Sequence, residues 1–143
     1  MKKHNKSGFT LLEIIIVIII IGVLASLALP RLFSTVEFSR SAEALATMAT
    51  IRGSLERCYL QSNGDYTNCR TATSTLGNLD IDDPATAPNA HFTYTITSAS
   101  PAGYVLVATR NATEGGVATS TITLTQTAAG ITKVGAGAFK SIK

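Results

Sequence analysis

Apolar residues are distributed along the chain in three successive patterns. From Phe9 to Pro30 the sequence reads FTLLEIIIVIIIIGVLASLALP, almost uniformly apolar, with one carboxylate, Glu13, inside it. Phe38, Ala42, Leu45, Met48, Ile51, Leu55 and Cys58 then recur at spacings of three and four. That period predicts one stripe of an amphipathic helix facing a core. Arg40, Glu43, Arg52, Glu56 and Arg57 fall mainly on the other faces. The helix is expected to run on to about Ser62, where Asn63-Gly64-Asp65 supplies a stop and a turn. From His91 the period changes to two. Phe92, Tyr94 and Ile96 alternate with threonines, and Tyr104–Thr109 follows across the turn Ser100-Pro101-Ala102-Gly103. Thr119–Thr125 and a short Ile131–Val134 complete three or four antiparallel strands. The expected fold is therefore α+β: a long N-terminal helix, half apolar and half amphipathic, packed on a small antiparallel sheet.

Glu13 is the feature that most needs a reason. A charge within a membrane-length helix costs roughly 2.5–3.5 kcal/mol on insertion scales, so it calls for a partner. The residues ahead of it, MKKHNKSG, are short, polar and basic, like the n-region of an export signal. No small-residue cleavage site follows Pro30, so the apolar segment looks retained. Lys2, Lys3 and Lys6 place the N-terminus on the cytoplasmic side. From Ile14 to Pro30 the chain is uncharged for about the minimum length that spans a bilayer. A plain signal anchor is one reading of this, but it leaves Glu13 unexplained.

Gly8-Phe9-Thr10-Leu11-Leu12-Glu13, between a lysine-rich leader and an Ile/Val/Leu run ending in proline, resembles the class III signal of type IV pilins and type II secretion pseudopilins. The resemblance covers residues 1 to about 33 and is closer to a type IVa pilin. It implies a pilin fold, with a leader (1–8), a membrane or filament-core helix (9–30), an amphipathic half of that helix (31–62), and a loop and sheet (63–143) forming one globular domain with 31–62. Prepilin peptidase would cut between Gly8 and Phe9, with N-methylation of Phe9. The new amine lies one helical turn from Glu13. In the family it is thought to pair with the glutamate of a neighbouring subunit, which would set the register of assembly. An interfacial glutamate with no partner is the competing reading. Gly22 and Pro30 stand where family members melt the helix locally in the filament; a simple proline kink is the rival. The implied partners are further copies of the chain, the peptidase, an inner-membrane assembly platform with minor pilins, and the membrane before assembly. The implied role is structural: a helically assembled extracellular filament serving adhesion, motility or DNA uptake, stored as a precursor in the bacterial inner membrane. The alternative is a periplasmic pseudopilus of a type II secretion system.

Charge and chemistry refine this picture. Three of the twelve basic residues lie in the leader, so the remainder carries nine basic against nine acidic side chains. The basic balance belongs to the targeting segment and predicts no specific nucleic-acid partner. Cys58 and Cys69 are the only cysteines. Outside the cytoplasm a bridge between them would tie the helix end to the next loop; metal ligation is the competitor, without a second cysteine pair or an adjacent histidine. Paired cysteines of many type IVa pilins instead enclose a C-terminal loop, so a receptor role for such a loop does not carry over. Asp80, Asp82 and Asp83 suggest either calcium or a solvated acidic turn before Pro84. Calcium-binding pseudopilins carry their acidic ligands nearer the C-terminus, where this chain has only Glu114 after Arg110. No cofactor is expected. His91, the one histidine outside the leader, begins a strand, and no catalytic constellation accompanies it. Asn111-Ala112-Thr113 matches a glycosylation sequon, a frequent chance occurrence.

Overall fold

The computed structural model describes residues 8–70 and 76–143, so leader residues 1–7 and part of the Thr/Ser-rich stretch lie outside the described residues. Among the described residues one α-helix, α1, runs Leu11–Gln61, and four strands follow: β1 Phe92–Ser100, β2 Gly103–Arg110, β3 Thr121–Thr127 and β4 Gly130–Gly135. Two compact units divide the chain, one ending at Thr35 and the other spanning Val36–Lys143.

In the first unit, α1 passes through Gly22 and Pro30 without interruption. Its large apolar side chains, from Leu11 to Phe33, are all exposed. A helix that is apolar on every face has no dry side of its own to hide and belongs in lipid or against other helices.

In the second unit the helix ends as its sequence suggests. Asn63 and Gly64 both take positive φ (54° and 83°), and the Gly64 N–H donates to the Tyr59 carbonyl at 2.9 Å. This is a left-handed C-cap at the Asn-Gly pair. The sheet is fully antiparallel in the order β1-β2-β3-β4, with the β1–β2 register shifting between Ile96 and Ser98. Along β2, Tyr104, Leu106, Ala108 and Arg110 are buried, whereas Val105, Val107 and Thr109 are half-buried on the opposite face. Register continues this division across the sheet: Leu106 opposes Ile96 and Leu124, and Val107 opposes Thr95 and Thr123. The inward residues join Ala44, Met48, Ile51 and Leu55 of α1 in one core. The outward face, Thr93, Thr95, Val105, Val107, Thr109, Thr121, Thr123 and Thr125, carries hydroxyls and methyls and no charge. Phe139, from the tail after β4, returns to the core 5.7 Å from the Phe92 ring.

The helix stripe departs from expectation at its start. Phe38 is 66% exposed and Ala42 is exposed, whereas Ser41, Ala44, Met48, Ile51, Ser54 and Leu55 are buried. The packed face follows positions 41, 44, 48, 51 and 55, a cleaner helical period than the apolar residues alone trace. Its polar members are buried with partners: the Ser41 hydroxyl donates to the Phe38 carbonyl of the same helix at 2.6 Å, and Ser54 donates to Asp80.

Candidate assembly site and its supports

Thr10 and Glu13 open α1 as a capping box. The Thr10 N–H and its hydroxyl both donate to Glu13 Oε2, at 2.8 and 2.9 Å, and the Glu13 N–H donates to Thr10 Oγ1 at 3.3 Å. The S/T-x-x-E spacing satisfies first-turn donors and the carboxylate reciprocally. In a water-poor surround each of those groups would otherwise stay unsatisfied. The carboxylate thus has a partner within its own chain, and Oε1 is not an acceptor in any of these bonds. Gly8 and Phe9 precede the helix and are exposed. Gly22 and Pro30 lie inside the continuous helix, where Ser26 Oγ donates to the Val23 carbonyl at 2.7 Å.

Three polar clusters join α1 to the sheet unit. In the first, Arg110, 1% exposed at the end of β2, donates from Nε and Nη2 to Glu37 of α1 at 3.2 Å each. Its Nη1 donates to the carbonyls of His91 and Asn111 at 3.1 Å each, and its guanidinium lies 5.7 Å from the Phe92 ring centre. In the second, Arg57 grips Asp80 with Nε and Nη2 at 2.9 Å each, and the buried Ser54 hydroxyl donates to the same carboxylate. Those bonds hold the Asp80 carboxyl down at about 2, the arginine being the larger cause. The third cluster centres on His91, 8% exposed just before β1. Its Nδ1 faces Glu43 Oε1 at 3.2 Å and its Nε2 faces Glu114 Oε2 at 3.1 Å. Arg40 closes the ring, donating to Glu114 at 2.7 Å and to Glu43 at 3.4 Å. The His91 contact, followed by Arg40, keeps the Glu114 carboxyl below its ordinary value. The Arg40–Glu43 pair joins residues three apart on one helix.

Cys58 and Cys69 are bonded, with Cα atoms 5.8 Å apart. The bridge settles the choice between disulfide and metal at these two residues. Tyr66, inside the loop it closes, stacks on Tyr59 at 4.4 Å and meets Tyr104 edge-on at 4.9 Å. Burial, and a hydrogen bond to Glu56, push the Tyr66 hydroxyl up to about 12. Asp80 is committed to Arg57, and Asp83 caps the short turn Pro84–Thr86 by accepting from the Ala85 N–H at 2.9 Å. Among the described residues no group of three or more His, Cys, Asp or Glu converges as a metal site. Asn111, the sequon asparagine, donates its side-chain amide to the Ala90 carbonyl at 3.1 Å.

Comparison with known proteins reads this architecture directly. The family described as the prokaryotic N-terminal methylation motif matches residues 3–29. The family described as type IV minor pilin ComP, DNA uptake sequence receptor, matches residues 30–128. The chain belongs to this type IV minor pilin family. Among curated relatives, the pilin resembles type II secretion system core protein G of Aeromonas hydrophila, 38% identical over 63 residues, 44% of each chain. The Klebsiella pneumoniae core protein G is 34% identical over 87 residues, covering 61% of this pilin and 59% of the relative. The major component of the type IV narrow pilus of Thermus thermophilus is 39% identical over 57 residues, 40% of this pilin and 49% of the relative. The pilin therefore spans well under two thirds of the length of these relatives. No solved structure matches it at a significant level.

Proposed function

We propose that the chain is a structural subunit of an extracellular type IV pilus. It would be anchored in the inner membrane by residues 9–30, cut between Gly8 and Phe9, methylated on Phe9, and assembled helically through α1. The observation that carries this reading is the reach of the type IV minor pilin family over residues 30–128, which takes in the amphipathic half of α1 and most of the sheet. Glu13 fits the assembly role: Thr10 holds one carboxylate oxygen, leaving Oε1 for the amine of a neighbour's Phe9. Gly22 and Pro30 mark where the helix would unwind on assembly, since both weaken it at its interior. The curated relatives support a second reading, a type II secretion pseudopilin. Against it stands Glu114, the one carboxylate after Arg110, which is occupied by Arg40 and His91. Of the nine basic residues outside the leader, Arg40, Arg57 and Arg110 are paired with carboxylates, so the DNA receptor role named in the family description would fall to the other six. The experiment is intact mass and N-terminal sequencing of protein from sheared surface material and from periplasm. Methylated Phe9 in the surface fraction supports the pilus; the same terminus confined to the periplasm supports the pseudopilus; an uncut chain in membranes sinks both.

A further inference from the structure

Charge is distributed unevenly around the globular unit. Residues 61–90 carry Asp65, Asp80, Asp82 and Asp83 against Arg70, whereas residues 115–143 carry Lys133, Lys140 and Lys143 and no acidic side chain. Topology sends the two groups to opposite edges of the sheet. The short turn Pro84–Thr86, which Asp82 and Asp83 precede, lies against β1, and β1 is one outer strand. Lys133 lies in β4, the other outer strand. The tail after β4 returns to that edge: the Gly135 N–H donates to the Ile142 carbonyl at 3.1 Å, and the Ala138 N–H donates to Ser120 Oγ at 3.0 Å. Three strand intervals separate the edges, about 14 Å at the usual spacing. Asp80 is taken by Arg57. Asp82, Asp83, Lys133, Lys140 and Lys143 are exposed, and among the described residues none of them enters a salt bridge.

We propose that the basic β4 edge is a docking surface for a second copy of this chain, whose acidic turn at Asp82 and Asp83 it receives. Charge complementarity selects the occupant. Within one copy the two groups lie a sheet's width apart and cannot neutralise each other; in two copies set side by side they meet. Ile131 and Val134, large and exposed on the same strand, add apolar area to bury at the contact. A lysine on an outer strand also guards it against uncontrolled strand pairing. That duty does not extend to Lys140 and Lys143, which lie off the strand. Because the contact joins two different edges, an engaged pair keeps one free edge of each sign. Such a contact propagates as an open array instead of closing into a dimer. The inference rests on the reading of the chain as an assembling subunit and deepens it: α1 would form the axis, and the edges would choose which heads are neighbours. The pairs are exposed to solvent, so they act through their number and are screened by salt.

The test uses the full chain in filaments recovered from cells. A carbodiimide couples a touching carboxylate and amine into an amide, taking up the released water as its urea. Mass spectrometry is expected to find peptides joining Asp82 or Asp83 to Lys133, Lys140 or Lys143, and the width of the sheet makes such a link intermolecular. Charge reversal follows. Lys133→Glu with Lys140→Glu should lower filament yield about tenfold. Asp82→Lys with Asp83→Asn should do the same, the asparagine keeping the oxygen that caps the turn. All four changes together should recover most of the yield. Unchanged yield in either reversal, no recovery in the combined variant, or wild-type filaments without the cross-link overturns the edge contact and leaves the assembly reading standing. A loss confined to the lysine variant also overturns it, and assigns the basic edge to an anionic polymer. A wild-type chain that never assembles defeats the assembly reading and this contact with it. Should a variant fail to fold, the cross-link, read on unaltered protein, decides.

Discussion

Arg110 and Glu37, 73 positions apart in sequence, meet through two parallel N–H···O contacts of 3.2 Å and join the end of β2 to the first turns of α1 in the globular unit. Arg110 also caps two loop carbonyls, so one side chain organises the lower edge of the sheet. Removing one member of a buried pair typically costs about 3–5 kcal/mol. Because Glu37 retains some solvent contact, Arg110→Ala should lie near the low end of that range. Arg110→Lys should also destabilise, since an ammonium cannot reproduce the forked geometry. Thermal unfolding followed by circular dichroism checks both; an unchanged melting temperature in either would refute the role.

The Cys58–Cys69 bond closes a loop with a sequence separation of 11. A loop of that size contributes about 2–3 kcal/mol in the chain-entropy account. Reduction, or the double change Cys58→Ser with Cys69→Ser, should lower stability by that amount. It should also loosen the Tyr59–Tyr66–Tyr104 stack, seen as loss of near-ultraviolet tyrosine dichroism before global unfolding.

Asp80 makes the loop after the disulfide sensitive to acid. Its folded value of about 2 lies below the ordinary 3.8. Stabilisation by the ionised carboxylate is therefore complete above about pH 4 and is lost as pH falls toward 2. The segment near Leu79 and Asp80 should open in that window while the sheet persists. Asp80→Asn should remove the transition, which hydrogen exchange or side-chain NMR of Asp80 would register.

Glu13→Gln separates the capping role of that side chain from its proposed pairing with a neighbouring subunit. The amide oxygen still accepts from Thr10, so the helix start and membrane insertion should survive. Pairing with a neighbour's ammonium loses its charge, so filament yield should fall about tenfold or more. Glu13→Leu removes both functions. Normal filament yield from Glu13→Gln, counted on sheared material, would argue against the charge pairing.

Much of the architecture was legible from period alone. The change from uniform apolarity to a helical stripe and then to alternation placed α1 and the strands within a few residues, because burial dictates those periods. Asn63-Gly64 announced the helix end through its left-handed preference. The packed face was misjudged at Phe38 and Ala42 for a definite reason: Ser41 and Ser54, which complete it, are polar, Ser41 being satisfied by the Phe38 carbonyl of its own helix and Ser54 by the distant Asp80. Arg110 gave no sign of burial, since charged residues in strands are normally solvated; its one available signal was its position in register with Tyr104, Leu106 and Ala108. The His91 ring joins residues from three distant stretches, and no local spacing encodes such a closure. At the N-terminus, by contrast, the chemistry is local, and Thr10-Leu11-Leu12-Glu13 spells out its capping box.

The division of the sheet into a fixed interior and an uncharged outer face has an evolutionary consequence. Thr95, Val107 and Thr123 hang from a ladder whose register is set by the inward Ile96, Leu106 and Leu124. Outward positions can exchange one hydroxyl or methyl for another without disturbing the core beneath them. On the proposed extracellular filament, the displayed surface would thus be free to drift while the scaffold beneath it is inherited intact.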